Sequence, residues 1–481
     1  MNYKMIMYLL GQLLRLEGIL MLIPLFYVDS AFWALLGTAL GLILVGTVLT
    51  LKKPESFTIG AKEGFAITGL SWLLLSMVGA LPFCISGAIP NYIDALFETI
   101  SGITTTGATI LTDIEALDRG LLFWRAFTHW IGGMGVLVFM LVVLPRSEIK
   151  STRMMYVLRA EMPGPKVGKV TAKLRKTAGI MYLIYLALTV LLVGFLLAGG
   201  MDLYDSLTNA LSTAGTGGFC VRNASIADYN SAYVEYVIAI FMLLFSINFN
   251  LYFLIVTGHV LTALKSEELR GFLLIFISAV ALIVYDIYAA CASFSEAFRL
   301  SFFQVSAIMS TTGFITADFN NWPALSKGII LFLTMVGACA GSTGGGLKVG
   351  RLIMLIKSGV RELRYMLSPR SVVSLKFEDR PVEPELIRST TNYFLLYVML
   401  GIVSMFAILV ADGTDIITTF TSVLTCINNV GPGLNLVGPV ENYAHFSAFS
   451  KIVLSFDMLA GRLELFPMLF LLTPATWRSR T

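Results

Sequence analysis

The chain has 481 residues, of which 57% are hydrophobic and only 13% are charged, with a formal net charge of +4 and a mean hydropathy of +0.81. Ordinary soluble domains carry about 25% charged residues, so this composition excludes a set of soluble domains and indicates a polytopic membrane protein. The apolar stretches reach the ~20 residues that a helix needs to cross a bilayer, whereas barrel strands are about half as long and alternate in polarity. The predicted fold is therefore all-α.

Ten membrane-spanning helices are predicted from the apolar stretches. They occupy residues 5–27, 32–51, 65–85, 121–144, 178–198, 233–263, 271–290, 328–356, 393–411 and 446–472. The first stretch could also be a signal peptide, but 23 apolar-dominated residues without a small-x-small cleavage site favour a helix that is retained. The first two helices, within residues 1–52, stand outside the pattern that the other eight follow.

The charges of the connecting segments indicate the topology. Residues 146–176 contain nine Lys or Arg against two Glu, and residues 357–388 contain seven basic residues, so the positive-inside rule places both segments in the cytoplasm. Residues 91–119 carry five acids against one Arg, and residues 202–232 carry three acids against one Arg, which places them outside. With ten spans, both termini are expected in the cytoplasm.

A helix, an amphipathic segment that rises into a Thr/Gly-rich turn, and a second helix follow one another four times. The four units are predicted at residues 65–145, 178–263, 271–356 and 393–472. Aligned on the last glycine of each turn, all four have a large apolar residue eleven positions upstream and a small residue six positions upstream. This agreement suits an ancient duplication with diverged loops. The turns consist of Thr105, Thr106 and Gly107; Thr216, Gly217 and Gly218; Thr311, Thr312 and Gly313; and Asn429, Val430 and Gly431.

Four similar turns in one chain can surround an axis with backbone carbonyl groups, as four subunits do in a symmetric channel. Non-helical backbone at membrane depth is tolerated where protein buries it or where it lines a water-filled cavity, and glycine lets successive carbonyls point toward a dehydrated cation. Asp94, Asp205 and Asp415 suit the positive starts of three of the segments before the turns, whereas Glu296 is less clearly placed. Close helix packing is the alternative explanation of the glycines. Their recurrence at the same place in four units favours ion permeation.

The predicted helix 328–356 is interrupted by a glycine-rich stretch at residues 337–346. Glycine costs about 1 kcal/mol relative to alanine in a helix, so a break is expected, and a break in the membrane needs polar surroundings such as a conduction path. A phosphate-binding loop is not supported, because residues 341–348 lack the order of that motif and lie between apolar helical halves. Lys348 and Arg351 follow at the cytoplasmic end, where snorkelling to the interface explains them.

Arg462 is expected about sixteen residues into the last span, a depth at which a charge is costly and commonly marks a transport pathway. The alternative is a structural ion pair with a neighbouring helix, for example through Asp457. Glu464 is expected on a different helical face, so it is not an obvious direct partner of Arg462.

Other classes of function find little support. The five cysteines and three histidines are scattered, without the spacing of a disulfide framework or a metal site. An intramembrane enzyme that used His129 or the basic segment 146–176 would need paired acid and base residues at one membrane depth, which the sequence lacks. We therefore expect no enzymatic activity.

Six segments together resemble the Trk/Ktr/HKT superfamily of potassium transporters, and within it the bacterial TrkH membrane subunits. The resemblance extends over nearly the whole chain. Its most specific segments are 101–109 (SGITTTGAT), 130–135 (WIGGMG), 310–319 (STTGFITADF), 340–348 (AGSTGGGLK), 428–433 (NNVGPG) and 461–464 (GRLE).

The resemblance implies a homodimer in the cytoplasmic (inner) membrane, in which each chain encloses its own pore between four pseudosymmetric units. The twelve turn residues would then bind K+ as a selectivity filter, and a serine in place of Gly107 would suggest Na+ instead. A positive barrier at Arg462 would lie beneath the filter. K+ would be the substrate, with no covalently bound cofactor. The implied gating loop consists of Gly341, Ser342, Thr343, Gly344, Gly345 and Gly346.

The implied partner is a cytosolic ring of nucleotide-binding subunits of the TrkA type, since this chain contains no nucleotide fingerprint. The basic segments 146–176 and 357–388 are candidate contact surfaces, or they anchor to anionic lipid; no nucleic acid is expected to bind. A symporter that couples K+ entry to H+ or Na+ is the alternative mechanism. It would need a relay of buried acids or histidines, for which Glu464 and Asp457 are the only candidates.

Overall fold

The computed structural model describes residues 2–54, 61–135, 174–369 and 374–477. Apart from one hairpin of two short strands, the regular structure of these residues is helical, which confirms the predicted fold class. Within the first two described ranges the helices are α1 (Tyr3–Leu20), α2 (Phe32–Thr50), α3 (Ala61–Gly79), α4 (Leu81–Ile85), α5 (Tyr92–Ile103) and α6 (Arg119–Gly133).

The third and fourth described ranges contain the remaining elements. The helices up to residue 367 are α7 (Leu174–Ala198), α8 (Leu203–Gly215), α9 (Ala232–Ser246), α10 (Phe249–Val256), α11 (Val260–Leu264), α12 (Glu267–Ile287), α13 (Phe294–Met309), α14 (Ala324–Val336) and α15 (Val349–Leu367). After the antiparallel strands β1 (Lys376–Phe377) and β2 (Arg380–Pro381), the chain forms α16 (Pro384–Asp412), α17 (Ile416–Asn428), α18 (Ala448–Arg462), α19 (Phe466–Leu472) and α20 (Pro474–Trp477). Short 3-10 helices lie at Ile23–Tyr27, Ser225–Tyr229, Tyr288–Ala290, Phe319–Asn321 and Asn435–Val437.

Within the described ranges, six helical segments are long and apolar enough to cross a membrane, and the pair α9 and α10 would make a seventh. The predicted span 233–263 is not straight, because α9 and α10 meet at 91° around residues 247 and 248. The predicted span 446–472 is also divided, since Glu464 and Leu465 adopt positive φ between α18 and α19. The span 328–356 is divided between α14 and α15. Residues 121–133 of the predicted span 121–144 belong to α6, whereas its last part, 136–144, and most of the basic segment 146–176 lie outside the described residues.

The first two helices pack closely against each other through glycines. A Cβ built on Gly46 would lie 2.5 Å from the carbonyl oxygen of Gly11, and one built on Gly18 would lie 2.7 Å from that of Ala39. Only residues without a side chain allow such an approach of two backbones. The pair is joined to the rest of the chain where Tyr27 stacks on Phe123 of α6, with ring centroids 5.0 Å apart.

Four short helices, α5, α8, α13 and α17, each end at one of the Thr/Gly-rich turns. Their first residues are capped by side chains that accept backbone N–H groups, an arrangement that stabilises a helix start. Asp94 and Asp205 lie in first turns, and Asp415 is itself a cap. Glu296 also lies in the first turn of its helix, so the third helix matches the others more closely than its sequence indicated. The caps are Asn91, Asp202, Ser293 and Asp415.

Candidate functional site

The four turns share one backbone conformation. Two residues before each final glycine stands a non-glycine residue in the left-handed region, and the glycine itself has a φ between 77° and 94°. A left-handed non-glycine residue costs on the order of 1–3 kcal/mol and persists only where its surroundings impose it. The left-handed residues are Thr105 (56°), Thr216 (56°), Thr311 (58°) and Asn429 (55°), and the glycines are Gly107, Gly218, Gly313 and Gly431.

A hydrogen bond at the same place closes each turn. The N–H of the residue before the final glycine donates to the carbonyl five positions upstream, which belongs to the small residue that the four aligned units have in common. A small side chain there leaves room for the turn to fold back on its own helix. The bonds join Thr106 to Ser101 (2.8 Å), Gly217 to Ser212 (2.9 Å), Thr312 to Ala307 (2.8 Å) and Val430 to Thr425 (3.0 Å).

The four turns touch one another in a closed ring. A Cβ built on each final glycine would collide with the carbonyl oxygen of the residue before the glycine in the next turn. The ring closes in chain order, because the fourth turn meets the first. The distance from the built Cβ to the facing carbonyl oxygen is 2.2 Å between Gly107 and Gly217, 1.9 Å between Gly218 and Thr312, 2.1 Å between Gly313 and Val430, and 2.8 Å between Gly431 and Thr106.

The carbonyl oxygens of this ring have no protein donor. Within the described part of the chain, the carbonyls of Thr106, Gly217, Thr312 and Val430 accept no hydrogen bond, although all four residues are buried. Apart from that of Thr105, the hydroxyl groups of the turns are engaged elsewhere, as between Thr106 and Thr104 at 2.8 Å. Buried carbonyls are almost always paired. Four unpaired carbonyls in one ring are therefore suited to a dehydrated cation.

A buried ion pair braces the first turn, and sequence reasoning missed it. Glu98 of α5 accepts hydrogen bonds from the Thr109 hydroxyl (2.9 Å) and the Ile110 N–H (3.0 Å), both just after the turn. It also pairs with Arg125 of α6 at 2.6 Å, with the two side chains 0% and 3% exposed. Arg125 in turn donates to the carbonyl of Cys220 beyond the second turn at 3.1 Å. The pair thus links two neighbouring turns.

The other units contain an analogous brace, which a longer alignment would have indicated. Nine or ten positions before the final glycine, a polar side chain contacts the chain just beyond the turn. Asn209 accepts from the Cys220 thiol (3.3 Å), and Thr421 accepts from the Leu434 N–H (3.1 Å). The Gln304 side-chain amide lies against Thr316, and with its oxygen and nitrogen exchanged the oxygen accepts from the Thr316 N–H at 2.8 Å.

Tyr443 holds the fourth turn from outside the ring. Its hydroxyl donates to the carbonyl of Gly431 (2.8 Å) and lies 2.9 Å from the Thr425 hydroxyl. Asn429 reaches across to the first turn, where its amide donates to the Thr106 hydroxyl at 3.0 Å. Asn429 stands where the other three turns have a threonine, and its bond to Thr106 ties the fourth turn to the first.

The glycine-rich segment between α14 and α15, residues 337–348, lies directly against the third and fourth turns. The Gly345 N–H donates to the Thr311 hydroxyl at 2.6 Å. A Cβ on Gly345 would lie 2.3 Å from the Asn428 carbonyl, and one on Gly344 would lie 2.9 Å from the Ser310 carbonyl. The glycines therefore allow the segment to approach the helix ends that carry the turns.

The bend between α9 and α10 forms hydrogen bonds with the other side of the glycine-rich segment. Thr343 donates its N–H and hydroxyl to the Phe245 carbonyl at 3.3 and 3.1 Å, and the Phe249 N–H donates to the Gly341 carbonyl at 3.0 Å. Breaking the helix at residues 247 and 248 frees backbone groups that pair with the segment. This accounts for the bend that the continuous apolar pattern concealed.

Arg462 connects three units through its hydrogen bonds. Its guanidinium donates to the carbonyl of Thr343 in the glycine-rich segment (2.7 Å) and to the carbonyls of Gly132 and Gly133 at the end of α6 (2.6 and 2.7 Å). Asp457 instead accepts from the Ser404 hydroxyl at 2.8 Å. The guanidinium thus brings a positive charge to the junction of the first, third and fourth units.

Lys348 and Arg351 do not reach the surface as expected, because they are only 3% and 6% exposed. The Lys348 ammonium donates to the Gly344 carbonyl within the glycine-rich segment. Arg351 pairs with Glu464 at 2.6 Å, the acid whose partner the sequence did not indicate. The described residues contain no group of three or more His, Cys, Asp or Glu that could hold a metal ion.

Comparisons with known proteins agree over the full length. A model of the TrkH family, described as a cation transport protein, matches residues 34–477. The Trk system potassium uptake protein TrkH of Escherichia coli K12 is 36% identical, with 99% of this chain and 100% of that protein aligned. TrkG of the same strain is 31% identical over 99% of both chains. The crystal structure of the potassium transporter TrkH from Vibrio parahaemolyticus superimposes with a TM-score of 0.89 at 32% identity, covering 99% of this chain and 100% of that one.

Proposed function

The chain belongs to the TrkH family of cation transport proteins, and from this premise we propose that it is a potassium uptake protein with a channel-like pore. It is a transport protein rather than an enzyme. The four turns act as the selectivity filter, with K+ as the transported substrate. The relatives named as potassium transporters and potassium uptake proteins support this choice of ion.

The ring of unpaired carbonyls carries the proposal. A dehydrated cation loses the oxygens of its hydration shell and needs protein oxygens at the same positions. The carbonyls of Thr106, Gly217, Thr312 and Val430 are buried, unpaired and held against the glycines of the neighbouring turns. The first residues of the four short helices are capped, and their carboxyl ends point partial negative charge at the ring.

The glycine-rich segment acts as the gate, through Gly341 to Gly346, and Arg462 as a positive barrier. The segment contacts the third turn through Gly345 and Thr311, and the Arg462 guanidinium donates to the Thr343 carbonyl at 2.7 Å. A charge at this position repels K+ and also fastens the segment to the end of α6. Movement of the segment would break these bonds, and both changes together would open the conduction path for K+.

The assembly is a homodimer in the inner membrane with both termini in the cytoplasm. A cytosolic nucleotide-binding ring of the TrkA type regulates it through the basic segments 146–176 and 357–388. The absence of a nucleotide fingerprint in the chain supports a separate regulatory subunit. Binding of those segments to anionic lipid is the competing explanation of their charge.

Cation flux into proteoliposomes tests the filter. K+, Rb+, Na+ and Li+ uptake is compared for the wild type and Gly313→Ser. We expect rapid K+ and Rb+ uptake with poor Na+ entry, and relaxed selectivity in the variant. Absence of selective flux from folded protein, even with a nucleotide-binding partner added, would contradict the proposal. For the barrier, Arg462→Gln should raise basal K+ flux without changing the K+/Na+ ratio.

A coupled symporter is the second candidate, because a buried carboxyl of α18 has an unpaired oxygen. Asp457 is 0% exposed, and one of its two oxygens has no partner. The reversal potential of the wild type in a voltage-clamped bilayer separates the two mechanisms. A potential that follows the K+ gradient alone supports the pore. A potential that shifts with the pH gradient, and loses this shift in Asp457→Asn, supports symport.

A further inference from the structure

One carboxylate oxygen closes the base of the glycine-rich segment. Oε1 of Glu268, in the first turn of α12, accepts the N–H of Ala340 at 2.8 Å and the N–H of Gly350 at 2.9 Å. These two donors lie on opposite sides of residues 341–349. Glu268 is only 6% exposed, and a Cβ on Gly350 would lie 2.8 Å from its Oε1. The carboxylate therefore holds together the two residues that flank 341–349, the stretch that contains the proposed gating loop.

The hairpin of β1 and β2 holds the start of α12 in turn. The Glu378 carboxylate accepts from the Ser266 hydroxyl at 2.7 Å and from the N–H of Glu268 at 3.1 Å. Glu267 pairs with Lys357 of α15, and the Lys357 ammonium donates to the carbonyl of Lys376 at 2.8 Å. The hairpin thus contacts both helices between which the carboxylate of Glu268 lies.

The turn of the hairpin is strained. Glu378 and Asp379 both have positive φ, at 51° and 57°, in a two-residue turn of a type that favours Asn-Gly. Non-glycine residues keep such a conformation only where surrounding contacts impose it. The bonds of Glu378 to the start of α12 supply those contacts. Removing them would let the hairpin relax and leave α12.

We propose that Glu268 is a positioning residue that keeps the glycine-rich segment in its closed arrangement, and that the hairpin at residues 376–381 is the cytoplasmic element that keeps Glu268 in place. Arg462 binds the segment at Thr343, in its middle, and Glu268 binds its base, where Ala340 and Gly350 come together. Displacement of the hairpin would free the base first. The inference rests on the proposed function in one respect, namely that the segment is the gate.

Cys339 is a native reporter of this arrangement, because it lies in the segment beside Ala340 and is 1% exposed. Its modification by a small water-soluble thiol reagent is measured by mass spectrometry on the full-length protein in proteoliposomes, together with basal K+ flux and the K+/Na+ ratio. Glu268→Ala should raise the rate of modification at least tenfold and raise basal flux, with the K+/Na+ ratio unchanged. Glu268→Gln keeps an acceptor oxygen and should remain close to the wild type.

A matched pair of variants tests the hairpin. Glu378→Asn and Asp379→Asn each remove one charge and introduce a residue that tolerates positive φ. Only the first shortens the side chain that reaches Ser266 and Glu268 and withdraws its acceptor oxygen from them, so only it should expose Cys339. Glu385→Ala, which removes an exposed first-turn acid of α16, should resemble the wild type.

The outcomes separate the inference from the proposed function. Exposure of Cys339 without a change in flux would support the role of Glu268 and overturn the assignment of the segment as the gate. A protected Cys339 in Glu268→Ala, with selective flux retained, would overturn the inference alone. If Glu268→Ala does not fold, equal protection of Cys339 in Glu378→Asn and Asp379→Asn would overturn it.

Discussion

Alanine substitution of the four ring glycines should impair selectivity in an order set by the ring geometry. All four glycines have positive φ, so the backbone strain of an alanine is similar at each. The collisions differ, because the new Cβ would lie 1.9 Å from the facing oxygen at Gly218, 2.1 Å at Gly313, 2.2 Å at Gly107 and 2.8 Å at Gly431. The distance between the new Cβ and the facing oxygen therefore decides the order in which the four variants lose selectivity.

The required displacement gives the magnitude. Real Cβ atoms stay at least 3.0 Å from other heavy atoms, so the Thr312 carbonyl must move by about 1.1 Å in Gly218→Ala, from 1.9 to 3.0 Å. The Thr106 carbonyl must move by only about 0.2 Å in Gly431→Ala, from 2.8 to 3.0 Å. If a K+–carbonyl contact is comparable to a hydrogen bond to a charged group, about 1.5–3 kcal/mol, its loss corresponds to roughly a 10- to 150-fold fall in K+/Na+ selectivity.

The assay is the ratio of Rb+ to Na+ uptake into proteoliposomes, measured for each purified variant. Gly218→Ala should lose at least about tenfold in this ratio, and Gly431→Ala should stay nearest the wild type. Gly328→Ala is the matched control, because a Cβ at Gly328 meets open space. A ratio in Gly431→Ala as low as that in Gly218→Ala would refute the argument, as would unchanged selectivity in a folded Gly218→Ala variant.

Three further predictions concern single side chains. Glu98→Gln leaves Arg125 buried without its partner and should lower the free energy of unfolding by about 3–5 kcal/mol, measured by denaturant unfolding in detergent. Tyr443→Phe removes the hydrogen bond to the Gly431 carbonyl, about 0.5–1.5 kcal/mol, and should lower the K+/Na+ flux ratio several-fold without unfolding the protein. Burial raises the pKa of Asp118, but N–H donors from the segment after the first helix and from its own helix outweigh burial and hold the pKa below its ordinary value. Its stabilising effect is therefore present above the unfolded pKa of about 3.9 and is lost as pH falls through the lower folded pKa, so Asp118→Asn should remove this part of the acid sensitivity of thermal unfolding.

Each of the three has a control and a contrary outcome. Glu235→Gln breaks an ion pair whose arginine is 30% exposed, and it should cost less stability than Glu98→Gln. An equal cost would contradict the role of burial. Wild-type selectivity in Tyr443→Phe would mean that the fourth turn keeps its shape without the hydroxyl. Asp228→Asn, at an exposed acid, should leave the pH dependence of thermal unfolding unchanged. An equal change in this variant would contradict the assignment of the acid sensitivity to Asp118.

Local chemistry made much of the molecule predictable from its sequence. Apolar length identifies membrane helices, and the family resemblance was visible in short motifs that the full-length comparisons confirm. The turn residues stood out because glycine and threonine recur at fixed distances from apolar positions. The small residue six positions upstream also had a local cause, since it accommodates the hydrogen bond that closes the turn.

Continuous apolar patterns were misleading where the chain breaks a helix to satisfy a distant segment. The predicted span 233–263 bends at residues 247 and 248 because its freed backbone groups bind residues 341–343. Lys348 and Arg351 were expected at the interface, but they are buried against the Gly344 carbonyl and Glu464. Gly344 is only four positions from Lys348, whereas Glu464 is 113 positions from Arg351 and could not be identified from residues nearby in the chain.

The sequence by itself therefore determined the class of protein, its helical fold and the composition of the four turns, because these follow from hydropathy and backbone preferences within a few residues. Only the tertiary structure decided that the turns meet in a ring in chain order, that Glu98 pairs with Arg125, and that Glu268 holds both ends of residues 341–349. Such contacts join residues tens to hundreds of positions apart. They depend on how whole helices pack, which no local pattern of side chains specifies.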